Sequence, residues 1–207
     1  MHDDGMHDLT TPSAPIRVLF ICLGNICRSP MAEGVFRKLV QEAGLEWRFD
    51  IDSAGIGAWH TGEGPDERAV ATAAQRGLRL TGTARQVRAA DLDRFDYILA
   101  MDHENLAALR RLARTRTRGR AGSADSLTPS AGKQAATKVA DAAASARAAH
   151  ASEIRLFREF DPASAHAPDL DVPDPYYGGP RGFDDVYDLV ERAARGLLDH
   201  ICREHQL

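Results

Sequence analysis

The segment Cys22-Leu23-Gly24-Asn25-Ile26-Cys27-Arg28-Ser29 sets an arginine six positions after a cysteine, with a serine directly behind it. Such a pair arises easily by chance in an arginine-rich chain, so its meaning depends on what surrounds it. A loop of this length can curl its backbone N–H groups inward around one tetrahedral anion, and a helix starting at its end adds partial positive charge. Phosphate fits such a cradle. Arg28 offers a planar fork of donors that grips two phosphate oxygens and follows them as charge shifts, which the point charge of a lysine does not do. The same positive field favours a thiolate, the nucleophilic form of a cysteine, and this makes Cys22 a candidate nucleophile. Ser29 can donate its hydroxyl to that sulfur and help it leave later.

Cleaving a phosphate ester whose leaving group is a phenolate, with a conjugate acid near pKa 10, gains from a positioned proton donor. Asp174 in Asp174-Pro175-Tyr176-Tyr177-Gly178 is the best candidate, because a loop rich in Pro and Gly just before the last helix can fold over the site. An Asp-Pro turn without chemistry is the plain alternative. Asp169 and Asp171 compete, but they lack the flanking aromatics that could line a phenyl ring. Trp59, Tyr176 and Tyr177 are candidates for the walls of such a cleft, packing of Trp59 on its own loop being the lesser alternative. His60 reads as a surface histidine near the rim.

The elements that must position these groups alternate. Arg17 to Cys22 is a short apolar, β-branched run suited to a strand buried on both faces. Ser29-Pro30 then opens a helix with Met31, Val35, Phe36, Leu39 and Val40 at helical spacing. A second strand is expected at Arg48 to Ser53, and a helix from Pro65-Asp66 to a C-terminal cap at Gly77. Tyr97 to Met101 reads as a third buried strand, with Asp102 capping a helix that runs through Leu112. Ile154 to Phe157 is a short fourth strand, and Phe183 to Cys202 a closing helix with Val186, Leu189, Val190, Ala193, Leu197 and Ile201 facing inward. Strand one ending at Cys22 puts the loop at the C-terminal edge of the sheet, where such folds bind ligands. The expected class is α/β, a three-layer sandwich around a parallel sheet.

At 207 residues, with 43% hydrophobic and 27% charged content, the chain suits one globular domain. A net charge of -4 provides no bulk attraction to nucleic acid or anionic membrane, so anion binding must be local. Residues 1–15 lack the apolar stretch of a secretory signal and read as a flexible extension, and residues 16–207 as the domain. No apolar run approaches the roughly 18 residues of a membrane span. Three cysteines in a chain this long argue for a reducing compartment, and a cytoplasmic monomer is expected. Residues 114–152 do not fit the alternation. Arginines cluster from Arg110 to Arg120, and eleven alanines follow among residues 131–151. Alanine favours helix but provides little apolar surface for docking, so a low-complexity surface insertion is expected there.

With these residues in hand, the sequence resembles a low-molecular-weight protein tyrosine phosphatase of the bacterial eukaryotic-like type. The match is carried by Cys22 to Ser29 with Pro30-Met31-Ala32-Glu33, Ser53-Ala54-Gly55 with Trp59-His60, and Pro65-Asp66-Glu67-Arg68-Ala69. It continues through Met101-Asp102, Phe160-Asp161-Pro162 and Asp174 to Gly178. The resemblance implies a flavodoxin-like order of four parallel strands and a phosphocysteine formed on Cys22. It implies that Arg28 binds phosphate and that Asp174 acts as acid and then as base toward water, without metal or cofactor. Leu23, Gly24, Asn25, Ile26, Cys27 and Ser29 would bind the phosphoryl group, Asn25 also holding the loop's strained shape. Cys27 would pair with an oxidised Cys22, or simply pack in the loop. The implied partners are phosphotyrosine-containing proteins. An arsenate reductase of the same fold would need further cysteines to pass a disulfide outward, and only Cys202 remains. A phosphoprotein-binding module without turnover would have little use for Cys22, Arg28 and Asp174 together.

Overall fold

The computed structural model of the chain describes residues 14–122, 152–176, 178–179 and 181–207, with the side chains of 116–122 left aside. Strand β1 (Ile16–Cys22) is followed by helix α1 (Arg28–Glu42), β2 (Phe49–Gly55), α2 (Glu67–Gln75) and a short α3 (Asp91–Arg94). Then come β3 (Tyr97–Ala100), α4 (His103–Gly122), β4 (Glu153–Leu156) and α5 (Gly182–His205). All strand pairs are parallel and the sheet runs β2-β1-β3-β4, the expected flavodoxin-like order.

Alternation along β1 explains the three layers, because successive side chains leave opposite faces of a strand. Val18 and Phe20 join the core built with Met31, Val35 and Phe36 of α1 and Val190 and Leu197 of α5. Leu19 and Ile21 point the other way, into a core with Leu106 and Leu109 of α4 and Leu92 and Phe95 beside α3. Phe20 anchors the first face through edge contacts with Phe36 at 5.7 Å and Phe157 at 5.2 Å between ring centroids. Gly196 lets α5 press against the turn before it: a Cβ there would stand 1.9 Å from the Phe160 carbonyl oxygen.

The boundaries differ from expectation where local signals were shared between neighbouring elements. Arg48 closes a 3-10 turn (Glu46–Arg48), and the second strand runs on to Gly55 because the Gly55 end pairs beside Cys22. Asp66 caps α2 by accepting from the Arg68 N–H, and Gly77 has the left-handed φ of 69° that its capping role requires. Phe157 belongs to a 3-10 turn after β4 rather than to the strand. In α5, Leu189 is only half-buried, while Tyr187, not expected inside, is buried under Arg76 at 4.9 Å. The helix's inner face turns toward α2 at that level.

Helix α4 continues past Leu112 to Gly122, so the first part of the expected insertion is helix. The arginines at 114, 116, 118 and 120 continue a helix that its docked first turns have nucleated, across the weaker helix formers Thr115, Thr117 and Gly119. The rest of the insertion, residues 123–151, and residues 1–13 of the N-terminal extension lie outside the described residues. No helix among the described residues is long and apolar enough to cross a membrane.

Candidate functional site

Cys22 ends β1 and Arg28 begins α1, so residues 23–27 turn across the C-terminal edge of the sheet. The loop's shape is fastened from outside. The carbonyls of Cys22, Leu23 and Ile26 accept from the N–H groups of Ile56, Gly57 and Asp66 at 2.9, 2.9 and 2.8 Å. Gly55 makes that contact possible, since a Cβ there would stand 3.0 Å from the Leu23 carbonyl oxygen. With those carbonyls turned outward, Asn25 directs its N–H inward to Cys22 Sγ at 3.2 Å.

Asn25 carries the strain, with φ at 59°, a left-handed value that asparagine tolerates better than most residues. Its buried side chain holds it there. Nδ2 donates to Ser29 Oγ and to Ser53 Oγ, both at 2.9 Å, and Oδ1 accepts from the Arg85 N–H at 2.9 Å. These bonds fix the amide's orientation and then the hydroxyls'. Ser53 Oγ, accepting from Asn25, donates to Glu33 at 2.6 Å. Ser29 Oγ, also accepting from Asn25, has its own hydrogen to direct at Cys22 Sγ, 3.0 Å away.

Arg28 is 3% exposed and faces three acceptors. One terminal nitrogen donates to Asp102 at 2.7 Å and the Val172 carbonyl at 3.1 Å, and the other to Asp174 Oδ2 at 2.9 Å. Burial works against its charge, but Cys22, Asp174 and Asp102 outweigh that cost and raise its pKa above the ordinary arginine value. Asp102 does more than cap α4. One carboxylate oxygen accepts from the Asn105 N–H, while the other grips Arg28.

Of the three competing aspartates, Asp171 takes the His103 N–H and ring Nδ1, and Asp169 takes the Asp171 N–H. Asp174 is the one that meets Arg28, and its second oxygen accepts from the Tyr176 N–H at 3.1 Å. Burial first, and then the negative charges of Asp66, Cys22 and Asp174, push the Cys27 thiol up to about 12. Cys27 is therefore a poor nucleophile at neutral pH.

A cleft of about 230 Å³ opens over Cys22 and Arg28, with Asp174, Trp59, His60 and Tyr176 around it. Leu23, Gly24, Ile26 and Cys27 complete the lining, and Asn25 and Ser29 support the loop from behind. Trp59 and Tyr176 are 72% and 40% exposed and line the mouth of the cleft, the Trp59 ring lying against Gly57 of its own loop and the Tyr176 ring under the Arg68 guanidinium. His60 stays at the rim, its Nδ1 against Glu63 at 2.8 Å. Tyr177 lies outside the described residues. Sequence reasoning missed the roles of Asp102, Val172, Ser53, Glu33 and Arg85. The Pro30-Met31-Ala32-Glu33, Ser53-Ala54-Gly55 and Met101-Asp102 matches to the family covered Glu33, Ser53 and Asp102 without giving their partners.

A family model described as low molecular weight phosphotyrosine protein phosphatase matches residues 17–141 and 134–207. A low molecular weight protein-tyrosine-phosphatase of Streptomyces coelicolor is 43% identical over 182 residues, 88% of this chain and 91% of that protein. The low molecular weight phosphotyrosine protein phosphatase of Sus scrofa is 35% identical, across 89% and 94% of the two chains. The crystal structure of YfkJ from Bacillus subtilis superimposes with a TM-score of 0.70 at 37% identity, covering 94% of this chain and 99% of that one. Identity over nearly the whole length, joined to the same parallel fold, makes this chain a member of the low-molecular-weight phosphotyrosine protein phosphatase family.

Proposed function

We propose that this protein hydrolyses phosphotyrosine in protein substrates in two steps through a phosphocysteine. Cys22 Sγ attacks phosphorus as the aryl–oxygen bond breaks, and Asp174 gives its proton to the departing phenolate. Asp174 then takes a proton from water, whose oxygen attacks phosphorus while the sulfur–phosphorus bond breaks and the thiolate returns. Arg28 holds two phosphoryl oxygens throughout. When the phosphoryl group takes the guanidinium fork, the carboxyl of Asp174 is released to turn toward the leaving oxygen. Ser29 stabilises the thiolate as it leaves. With a thiolate as nucleophile, the chemistry needs no metal or cofactor to generate one. The observation that carries the reading is the meeting of Arg28 with Asp174 above Cys22 in one small cleft.

The rings of Trp59 and Tyr176 at the mouth of the cleft suit a phosphoaryl group. Working as a cytoplasmic monomer on phosphotyrosine-bearing proteins completes it. The leaving group tests the acid. Asp174→Asn is expected to slow phenyl phosphate hydrolysis by about 10² to 10⁴. Dinitrophenyl phosphate, whose phenolate departs without a proton, should lose far less. Equal losses on both substrates would remove Asp174 from the acid's role. A phosphoseryl peptide cleaved as fast as its phosphotyrosyl counterpart would overturn the substrate class.

Cys27 completes the proposal as a redox partner. Peroxide oxidises the Cys22 thiolate to a sulfenic acid, which condenses with the Cys27 thiol to a disulfide and releases water. The raised pKa of Cys27 makes that condensation faster as pH rises. After peroxide treatment long enough to carry an unprotected sulfenic acid on to sulfinic acid, dithiothreitol should restore activity to the parent protein but much less to Cys27→Ser. Equal recovery would leave Cys27 as a packing residue.

A further inference from the structure

Arg68 sits in the Pro65 to Ala69 match to the family, and nothing in the reaction above uses it. We infer that Arg68 is a positioning residue for Asp174, holding the acid loop at a set distance from the phosphate loop. The inference rests on the reading of Asp174 as the acid.

The connection can be followed bond by bond. Asp66 donates its N–H to the Ile26 carbonyl at 2.8 Å, which ties the start of α2 to the phosphate loop. The Asp66 carboxylate takes the Arg68 guanidinium on both oxygens, Oδ1 from Nε at 3.1 Å and Oδ2 from a terminal nitrogen at 2.9 Å. The other terminal nitrogen donates to the Tyr176 carbonyl at 3.1 Å. Tyr176 in turn gives its N–H to Asp174 Oδ1. Both polar groups of one backbone residue are thus engaged, one by the acid itself and one by Arg68. The guanidinium also lies over the rings of Tyr176 at 5.0 Å and Phe183 at 4.8 Å, within cation–π range. A planar fork stacked on its faces and bonded along its edge has little freedom, and the residue it holds is two positions from Asp174.

Arg76, two turns further along the α2 side of the same seam, is a matched control. It stacks over Tyr187 at 4.9 Å and pairs with Asp188 at 2.7 Å, but it makes no bond to the acid loop. Both arginines therefore fasten α2 to α5, while only Arg68 reaches the chemistry. The Arg68 side chain is 51% exposed, so Gln there leaves a folded protein.

The test is a leaving-group series of aryl phosphates, with thermal melting alongside, on Arg68→Gln, Arg76→Gln and Asp174→Asn, and on Arg68→Gln joined to Asp174→Asn. Arg68→Gln is expected to slow phenyl phosphate turnover by about tenfold or more, since a small misplacement of a reacting group costs up to about 10²-fold. Dinitrophenyl phosphate should be slowed far less, so the dependence on leaving-group pKa steepens. In the Asp174→Asn background the Arg68 change should add nothing, because its effect passes through the missing acid. Arg76→Gln should lower the melting temperature with an unaltered leaving-group dependence. The inference is overturned if Arg68→Gln behaves like Arg76→Gln, or if its full effect persists without Asp174. An Asp174→Asn protein with unaltered leaving-group dependence would instead remove the acid assignment itself, and this inference with it.

Discussion

Cys22→Ser is expected to lose turnover by about 10⁵-fold or more, the scale of removing a covalent nucleophile, while phosphate still binds within a few-fold of its original affinity. The two halves of the result have separate causes. Serine is not ionised at neutral pH, so no anion is present to attack phosphorus, and the Ser29 hydroxyl and Asn25 N–H that face Sγ at 3.0 and 3.2 Å have no thiolate to stabilise. In the proposed mechanism the anion is held by Arg28, the loop N–H groups and the start of α1, none of which the substitution touches. Turnover of p-nitrophenyl phosphate without added metal, and phosphate affinity by calorimetry, read the two halves. A serine variant that turns over like the parent would end the phosphocysteine mechanism. The same variant, inactive but able to bind, serves to capture phosphotyrosyl peptides.

The second large effect is expected at Arg28. Arg28→Lys keeps the charge and is expected to lower kcat/KM by about 10³-fold, the scale on which a phosphoryl-gripping arginine acts. A lysine ammonium can replace one bond of the fork but cannot hold two phosphoryl oxygens in one plane. Arg28→Ala should cost stability as well, because it leaves Asp102, with 15% of its side chain exposed, without the cation that it faces at 2.7 Å. Removing one partner of a buried pair costs roughly 3 to 5 kcal/mol. Melting curves compared with rates separate the two: the lysine protein should melt near the parent and react slowly, whereas the alanine protein should do both badly. A lysine variant with parental kcat/KM would show that bidentate grip is not what Arg28 contributes.

Several parts of this protein are visible one residue at a time. The β1 run and the helical spacing of Met31, Val35, Phe36 and Leu39 make strand and helix legible, and the eight residues from Cys22 to Ser29 are contiguous. Their spacing points to an anion loop only together with the strand before them and the helix after them. Asp66 and Gly77 read correctly as the two ends of α2, since capping is decided within a few residues. Errors appear where two local signals compete. Arg48 looked like strand and is the end of a turn, and Leu112 looked like a helix end although α4 continues to Gly122.

The loop of residues 22–29 with its arginine between a strand and a helix, the βα order of the elements and the family were therefore determined by the sequence by itself, because each depends on motifs or periodicities spanning only a few residues. Tertiary structure supplied the contact between the loop arginine and Asp174. The flanking aromatics and the Pro/Gly-rich loop already favour Asp174 over Asp169 and Asp171 in the sequence, and of these three aspartates only Asp174 meets the Arg28 fork once the layers pack. It also gave Asp102 its second bond and set Arg68 against Tyr176, 108 positions away. Hydrogen bonds across such separations leave no spacing to read, because they form between residues that only the packed layers bring within about 3 Å.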